Sequence, residues 1–381
     1  MKLCAAARRL ALKDGRGLGQ APRVMARGHI IDRVAGQLSH VLHGLRGPKV
    51  NTLDDFEQYL DLPLSELFPE PAPIEQMKVE ARLLDRRRRI TTLSWRSAHQ
   101  PLSSQYRLRH EHQYKRNLTA WARWVRPDGT QRRHCLVYVH GWLEPGSWVE
   151  ENFIFPGWGR QLGVDLVHVA LPFHGVRNPR TALFSGEYFW TGDLVRSLES
   201  LRQAICDARS VVAWMRGQGY EHVGVTGLSF GGSIAMMLAC LEPLPDYIIA
   251  IVGHLALGEA SESAEILWRA KRDLQRWGVD ETTRRRTWAR LGVDSARPLL
   301  PPERQLWIEA ENDAHIDPAL VRAQWESWNH PNLHWIQGGH MTFPLHMNEI
   351  TKTMREFMDS VSRSTERHAE DAPDPGHERR L

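Results

Sequence analysis

The chain has 381 residues, 42% of them apolar and 25% charged, with a formal net charge of +4; this is an ordinary globular composition, too apolar for a disordered chain and long enough to bury one large core. Charge is unevenly placed, because residues 1–50 carry ten Lys and Arg against two Asp, which leaves no case for a nucleic-acid-binding body and only for a basic arm. Four cysteines without metal-like spacing point away from a disulfide scaffold or zinc module, towards reduced thiols and a cytoplasmic protein.

The first residues, MKLCAAARRLALKDGRG, open like a signal peptide, but Arg8 and Arg9 cut the apolar run; the Arg- and Ala-rich character also suits a transit peptide. From Arg23 to Leu45 apolar residues recur at three and four, which predicts an amphipathic helix stopped by Gly47-Pro48. Thr52 followed by Asp55 reads as a capping box for a short helix through Leu60, and LFPEPAP ends it. Residues 1–85 are therefore expected to form a basic, partly helical extension on the outside of a main domain.

That domain is expected over 86–361. Arg89 to Trp95, Tyr106 to His112 and Leu118 to Val125 alternate as strands. His134 to Val139 is a nearly continuous apolar strand ending in His140-Gly141-Trp142. A helix near Trp148 to Leu162, a strand Val164 to Ala170 and a long amphipathic helix Asp193 to Gly217 capped by Thr191 follow. Further strands are expected at 222–226, 247–252, 305–310 and 333–336. A helix starts at Pro318 behind Asp317 as N-cap, and another covers Met347 to Val361. Residues 253–300 are helical and far longer than an ordinary connection, so they are expected to be a cap insertion over the site. The polar tail 362–381 is expected to be disordered. Strands alternating with helices predict an α/β fold: an open, mostly parallel sheet with helices on both faces.

Chemistry concentrates in Val223 to Leu241, which reads as buried strand, glycine-bracketed serine and helix. Ser229 sits between Gly227 and Gly231, as a serine held in a strained strand-to-helix turn requires. The helix that follows aims backbone N–H groups at the place where an oxyanion would form. These nineteen residues carry no charge, yet their four glycines and strand-turn-helix pattern argue against a membrane span. A serine hydroxyl needs a base, and the base an orienting carboxylate, all from loops at the carboxyl ends of strands. One such loop offers Glu311, Asp313 and Asp317; another offers His340 behind Gly338-Gly339.

With nucleophile, acid and histidine in that order, residues 110–360 resemble the α/β-hydrolase superfamily. Gly227-Leu228-Ser229-Phe230-Gly231 matches its nucleophile elbow, EAENDAHIDP its acid loop and Gly338-Gly339-His340 its histidine loop. The resemblance implies a Ser229–His340–Asp313 triad, with the backbone N–H groups of Trp142 and Phe230 as the oxyanion hole. His140, Trp148, His174 and His254 are expected about the substrate pocket, with Trp142, Trp158 and Trp190 as further wall candidates. The expected activity is hydrolysis of a small-molecule carboxylic ester through an acyl-enzyme, with no metal, organic cofactor or nucleic-acid partner. An acyl-aminoacyl peptidase, a thioesterase and a catalytically dead binding protein are the alternatives, and the oligomeric state is not legible.

Overall fold

The computed structural model describes Asp32 and residues 50–85, 88–127, 132–255, 268–292 and 295–370. Apart from Asp32, the helix expected from Arg23 to Leu45 lies outside the described residues, as do residues 371–381.

Nine strands form one sheet: β1 (Lys78–Asp85), β2 (Arg88–Arg96), β3 (Thr119–Arg126), β4 (His134–Val139), β5 (Val164–Ala170), β6 (His222–Leu228), β7 (Ile248–Ile251), β8 (Gln305–Ala310) and β9 (Asn332–Ile336). Their spatial order is β1-β2-β3-β5-β4-β6-β7-β8-β9. β1, β2 and β3 pair antiparallel, and β3 runs antiparallel to β5. From β5 to β9 every pair is parallel. The sheet is open, and its parallel strands are the near-continuous apolar runs that a sheet covered on both faces demands. β4 and β6 are buried along most of their length and lie side by side at the centre.

Two apolar layers cover it. On one face α4 (Phe155–Gln161) and α10 (Met347–Glu370) bring Phe155, Trp158, Ile350, Met354 and Phe357 against β4, β5, β7 and β8. On the other, α5 (Leu194–Arg216) and α6 (Phe230–Leu238) supply the larger core. No described helix is long and apolar enough to cross a membrane.

The structure corrects several expectations. The sheet begins at Lys78, inside the stretch assigned to the extension. Phe56, Tyr59, Leu67 and Phe68, from the short helices α1 (Leu53–Phe56) and α2 (Leu64–Leu67) and their flanks, are buried in the larger core. Tyr59 donates to Glu199 Oε1 at 2.5 Å, and Arg202 Nε and Arg209 Nη1 donate to the carbonyls of Leu67 and Phe68 at 2.7 and 3.0 Å. The segment thus forms an outer layer along α5, whose solvent-side polar groups it satisfies. Thr52 accordingly turns its hydroxyl to Asp193 rather than capping its own helix.

Tyr106 to His112 belongs to a helix, α3 (Ser104–His112), because Ser103 accepts the Tyr106 N–H as N-cap and wins over the strand-like alternation. Asp193, not Thr191, caps α5, accepting the Arg196 N–H at 3.2 Å. α10 continues to Glu370, nine residues past Val361. In the insertion, α7 (Trp268–Arg276) and α8 (Glu281–Gly292) are helical as read. Arg286 of α8 reaches Asp61, Arg290 reaches the Leu62 carbonyl, and the Leu299 and Leu300 N–H groups bond the Ala239 carbonyl. Ala239 ends α6, about 15 Å along its axis from Ser229, so α8 lies beside residues 61–62 and residues 299–300 beside the far end of α6; residues 256–267 lie outside the described residues.

If residues 53–68 are core, deleting one of their buried rings leaves a cavity. Phe56→Ala should lower the unfolding free energy by about 3–5 kcal/mol in urea melts; a loss below about 0.5 kcal/mol would put the segment back on the surface.

Candidate active site

Ser229 stands between the end of β6 and the start of α6 with φ +54° and ψ −118°, a left-handed conformation costly for a residue with a Cβ. Tertiary contacts hold it there: the Ser229 N–H donates to the Ile251 carbonyl at 2.8 Å, off the neighbouring strand. The turn closes because Gly227 and Gly231 touch; a Cβ on Gly227 would collide with the Gly231 carbonyl group, and one on Gly231 with the Val139 carbonyl. Gly141 lies in ordinary contact range of the serine, since a Cβ there would stand 3.7 Å from that of Ser229.

His340 opens the turn after β9 and points Nε2 at Ser229 Oγ, 2.8 Å away. Its Nδ1 lies 2.6 Å from Asp313 Oδ2, on the loop after β8. Asp313 Oδ1 accepts the N–H groups of His315 and Ile316 at 2.7 and 2.8 Å, which fixes the carboxylate plane. The rival acids are engaged otherwise: Glu311 is exposed, and Asp317 accepts the Ala319 N–H at 2.8 Å to cap α9 (Pro318–Ser327).

Electrostatics sharpen this arrangement. Burial alone would push the Asp313 pKa up, but the charge and hydrogen bond of His340 and the two loop N–H groups hold it below the usual range. Burial likewise pushes His340 down, and Asp313, helped by Asp32, outweighs it, so the imidazole is more basic than usual. Glu309, buried behind Asp313, is driven well above the carboxylate range by burial and by the Asp313 charge. The two carboxyls are thus shifted in opposite directions, Glu309 up and Asp313 down.

The remaining expected site residues divide. Trp142 is half-buried, with its indole N–H on the Gly186 carbonyl at 3.0 Å; Phe230, the first residue of α6, packs on Phe189 and Trp190. His140, His174 and His254, placed at the pocket by sequence, are at most 2% exposed. His140 Nε2 accepts the Leu171 N–H at 3.1 Å, and His174 Nε2 accepts the Leu143 N–H at 3.3 Å. Burial lowers the pKa of both, keeping them neutral as those acceptor roles require. They brace the loop that carries Trp142, because its irregular backbone has no ladder partner. Trp158 and Trp190 are core, whereas Trp148 is 65% exposed and packs edge-on against Phe153.

Among the described residues, Glu144, Glu150 and His168 bring potential metal-binding atoms within 4.8 Å of one another. Hydrogen bonding accounts for them: His168 Nε2 lies 2.7 Å from Glu144 Oε1, and burial together with the Glu144 charge pushes Glu150 up to about 7. Sequence reasoning missed Asp32, which touches both the Asp313 and His340 loops. The available signal was its isolation, one of two acids among ten bases in the first fifty residues.

Residues 128–264 match the family described as alpha/beta hydrolase domain containing 18. An uncharacterized protein of Mycobacterium tuberculosis strain H37Rv is 28% identical over 301 residues, 75% of this chain and 68% of that one. A second, from strain CDC 1551, is 28% identical over 294 residues, 73% and 66% respectively. The chain therefore spans about two thirds of the length of these relatives. An acetyl xylan esterase from Paenibacillus sp. R4 superposes over 84% of this chain and 99% of its own, at 16% identity and a TM-score of 0.56. Acetyl xylan esterase 1 from Thermoanaerobacterium sp. gives 84%, 98%, 14% and 0.57. At such identities the likeness is one of fold.

Asp313→Asn should preserve the shape of the site but favour the wrong imidazole tautomer; in another serine hydrolase, the standard worked example of this change, kcat falls about 10⁴-fold. A comparable loss is expected here at about pH 8, with the acid limb of kcat/KM moved to lower pH because the anion that raises His340 is gone. Glu311→Gln should leave both unchanged, and the reverse pattern in ester assays would transfer the acid's role to Glu311.

Proposed function

We propose that this chain, an α/β hydrolase by fold, is a serine hydrolase that cleaves a carboxylic ester through an acyl-enzyme. The observation that carries the reading is the continuous hydrogen-bonded line from Ser229 Oγ through the His340 imidazole to Asp313, at 2.8 and 2.6 Å, on a strained turn. In this reading Ser229 Oγ attacks the ester carbonyl carbon while its proton passes to His340 Nε2. Asp313 stabilises the imidazolium and keeps the Nδ1 proton in place. The tetrahedral oxyanion is received by the Trp142 and Phe230 N–H groups and the N-terminal end of α6. His340 then protonates the departing alkoxide, and water, activated by the same nitrogen, releases the acid and restores Ser229.

The raised basicity of His340 has a cost in pH range. A group with a raised pKa stays protonated to higher pH, so the free base, and kcat/KM with it, is lost as pH falls through a value above the ordinary imidazole range.

A fluorophosphonate probe tests the nucleophile directly. Labelling is expected at Ser229 and absent in a folded Ser229→Ala variant, which should also lose ester turnover; turnover near the wild-type rate in that variant would refute the reading. Panels of ester, thioester and aminoacyl-anilide substrates then distinguish an esterase from a thioesterase or acyl-aminoacyl peptidase. For the oxyanion hole, Trp142→Ala keeps the backbone donor and Trp142→Pro removes it. The proline variant should be slower by about 10²–10³-fold in kcat, and equal rates in two folded variants would discard that donor.

A further inference from the structure

Asp32 lies 308 residues before His340 in sequence. Its side chain is fully buried. Oδ2 accepts the N–H groups of Ala314 at 3.1 Å and His340 at 2.9 Å, and Oδ1 accepts that of Met341 at 2.8 Å. One carboxylate therefore bridges two loops that leave different strands, β8 and β9. Hydrogen bonds to an ionised acceptor are stronger than neutral ones, and these fall on backbone donors that the sheet ladder has already left behind.

The two carboxylates share the work of holding the acid loop. Asp313 takes the His315 and Ile316 N–H groups through its own Oδ1, and Asp32 takes that of Ala314, the residue just before them. On the histidine side Thr342 Oγ1 accepts the Gly339 N–H, and Asp32 accepts the next two, His340 and Met341. Every backbone N–H from 314 to 316 and from 339 to 341 thus has a fixed acceptor. The 2.6 Å bond between Asp313 Oδ2 and His340 Nδ1 crosses the gap that Asp32 closes.

We propose that Asp32 is a positioning residue: its carboxylate staples the Asp313 loop to the His340 loop, making this one residue of the basic leader part of the active site. This rests on the triad reading above. Asp32 touches neither substrate nor Ser229; it acts by fixing the relative position of the acid and the base. Its charge also acts on His340, together with that of Asp313, and the His315 ring centroid lies 5.2 Å from that of His340; His254 and Glu309 also feel the Asp313 charge. Of these, Asp32 and Asp313 are the groups that favour the imidazolium.

Asp32→Asn retains the size but removes the charge and turns one acceptor into a donor against a backbone N–H. Asp32→Glu retains the charge. With the full-length chain and p-nitrophenyl acetate, Asp32→Asn is expected to lower kcat by up to about 10²-fold, the loss that a small misplacement of catalytic groups produces. KM should change little, the acid limb of kcat/KM should move to lower pH, and fluorophosphonate labelling of Ser229 should slow in parallel. Asp32→Glu should keep the acid limb near its wild-type position. Wild-type labelling is checked first: its absence would refute the triad reading and this inference with it. Labelled wild type with an Asp32→Asn variant of unchanged kcat and unmoved acid limb would overturn the Asp32 inference alone. Should the asparagine variant not fold, amide hydrogen exchange in the wild-type chain decides. Slow exchange at Ala314, His340 and Met341 supports the staple, and exchange at solvent rates overturns it.

Discussion

The backbone of Ser229 is the constraint on which the rest depends. A residue with a Cβ at φ +54° is held there only if its surroundings over-determine it. β7 supplies a carbonyl for its N–H, α6 begins one residue later, and β4 lies so close that Gly231 has no room for a side chain. The position of β6 between β4 and β7 is what makes these contacts available at once. The same crowding brings Gly141, and with it the loop that carries Trp142, against the serine.

Around that turn, one residue type is put to opposite uses by its surroundings. His140, His168 and His174 are buried, and burial lowers their pKa so that they remain neutral and can accept or donate at fixed nitrogens. His340 is buried as well, yet the Asp313 carboxylate beside it reverses the sign of the shift. A carboxylate within hydrogen-bond distance does not fix the sign by itself: His168 is lowered to about 4 by burial although Glu144 Oε1 lies 2.7 Å from its Nε2, whereas at His340 the charge and hydrogen bond of Asp313, joined by the charge of Asp32, outweigh burial. Glu309 and Glu150 show the effect from the acid side: burial and a neighbouring carboxylate raise the pKa of both.

α5 carries another part of the architecture. Nearly all of it is buried, charged residues included, because the sheet covers one side and residues 53–68 the other. Its charges are paired within that layer: Arg202 Nη1 meets Glu199 Oε2 at 2.5 Å, and Asp207 meets the fully buried Arg177 at 2.8 Å. Arg177 also donates to the Ala170 and Asn117 carbonyls, tying the loop after β5 to the start of β3. Buried pairs of this kind add little net stability, but they penalise any arrangement that leaves one member alone.

By itself the sequence determined the features that depend on local pattern. Apolar runs of four to seven residues marked the parallel strands, Gly227 and Gly231 marked the turn at Ser229, and Asp317-Pro318 marked a helix start, because each follows from the conformational preferences of a few adjacent residues. The order of serine, acid and histidine was legible for the same reason, as loops after recognisable strands. Tertiary structure decided what depends on partners distant in the chain. It made a helix of Ser104 to His112, whose alternation looked like a strand, and took residues 53–68 into the core along α5. It also buried His140, His174 and His254 and set Asp32 against loops more than 280 residues away. Hydrogen-bond satisfaction in a buried loop is a property of whatever chain segment happens to be nearest in space, and no periodicity in the sequence records it.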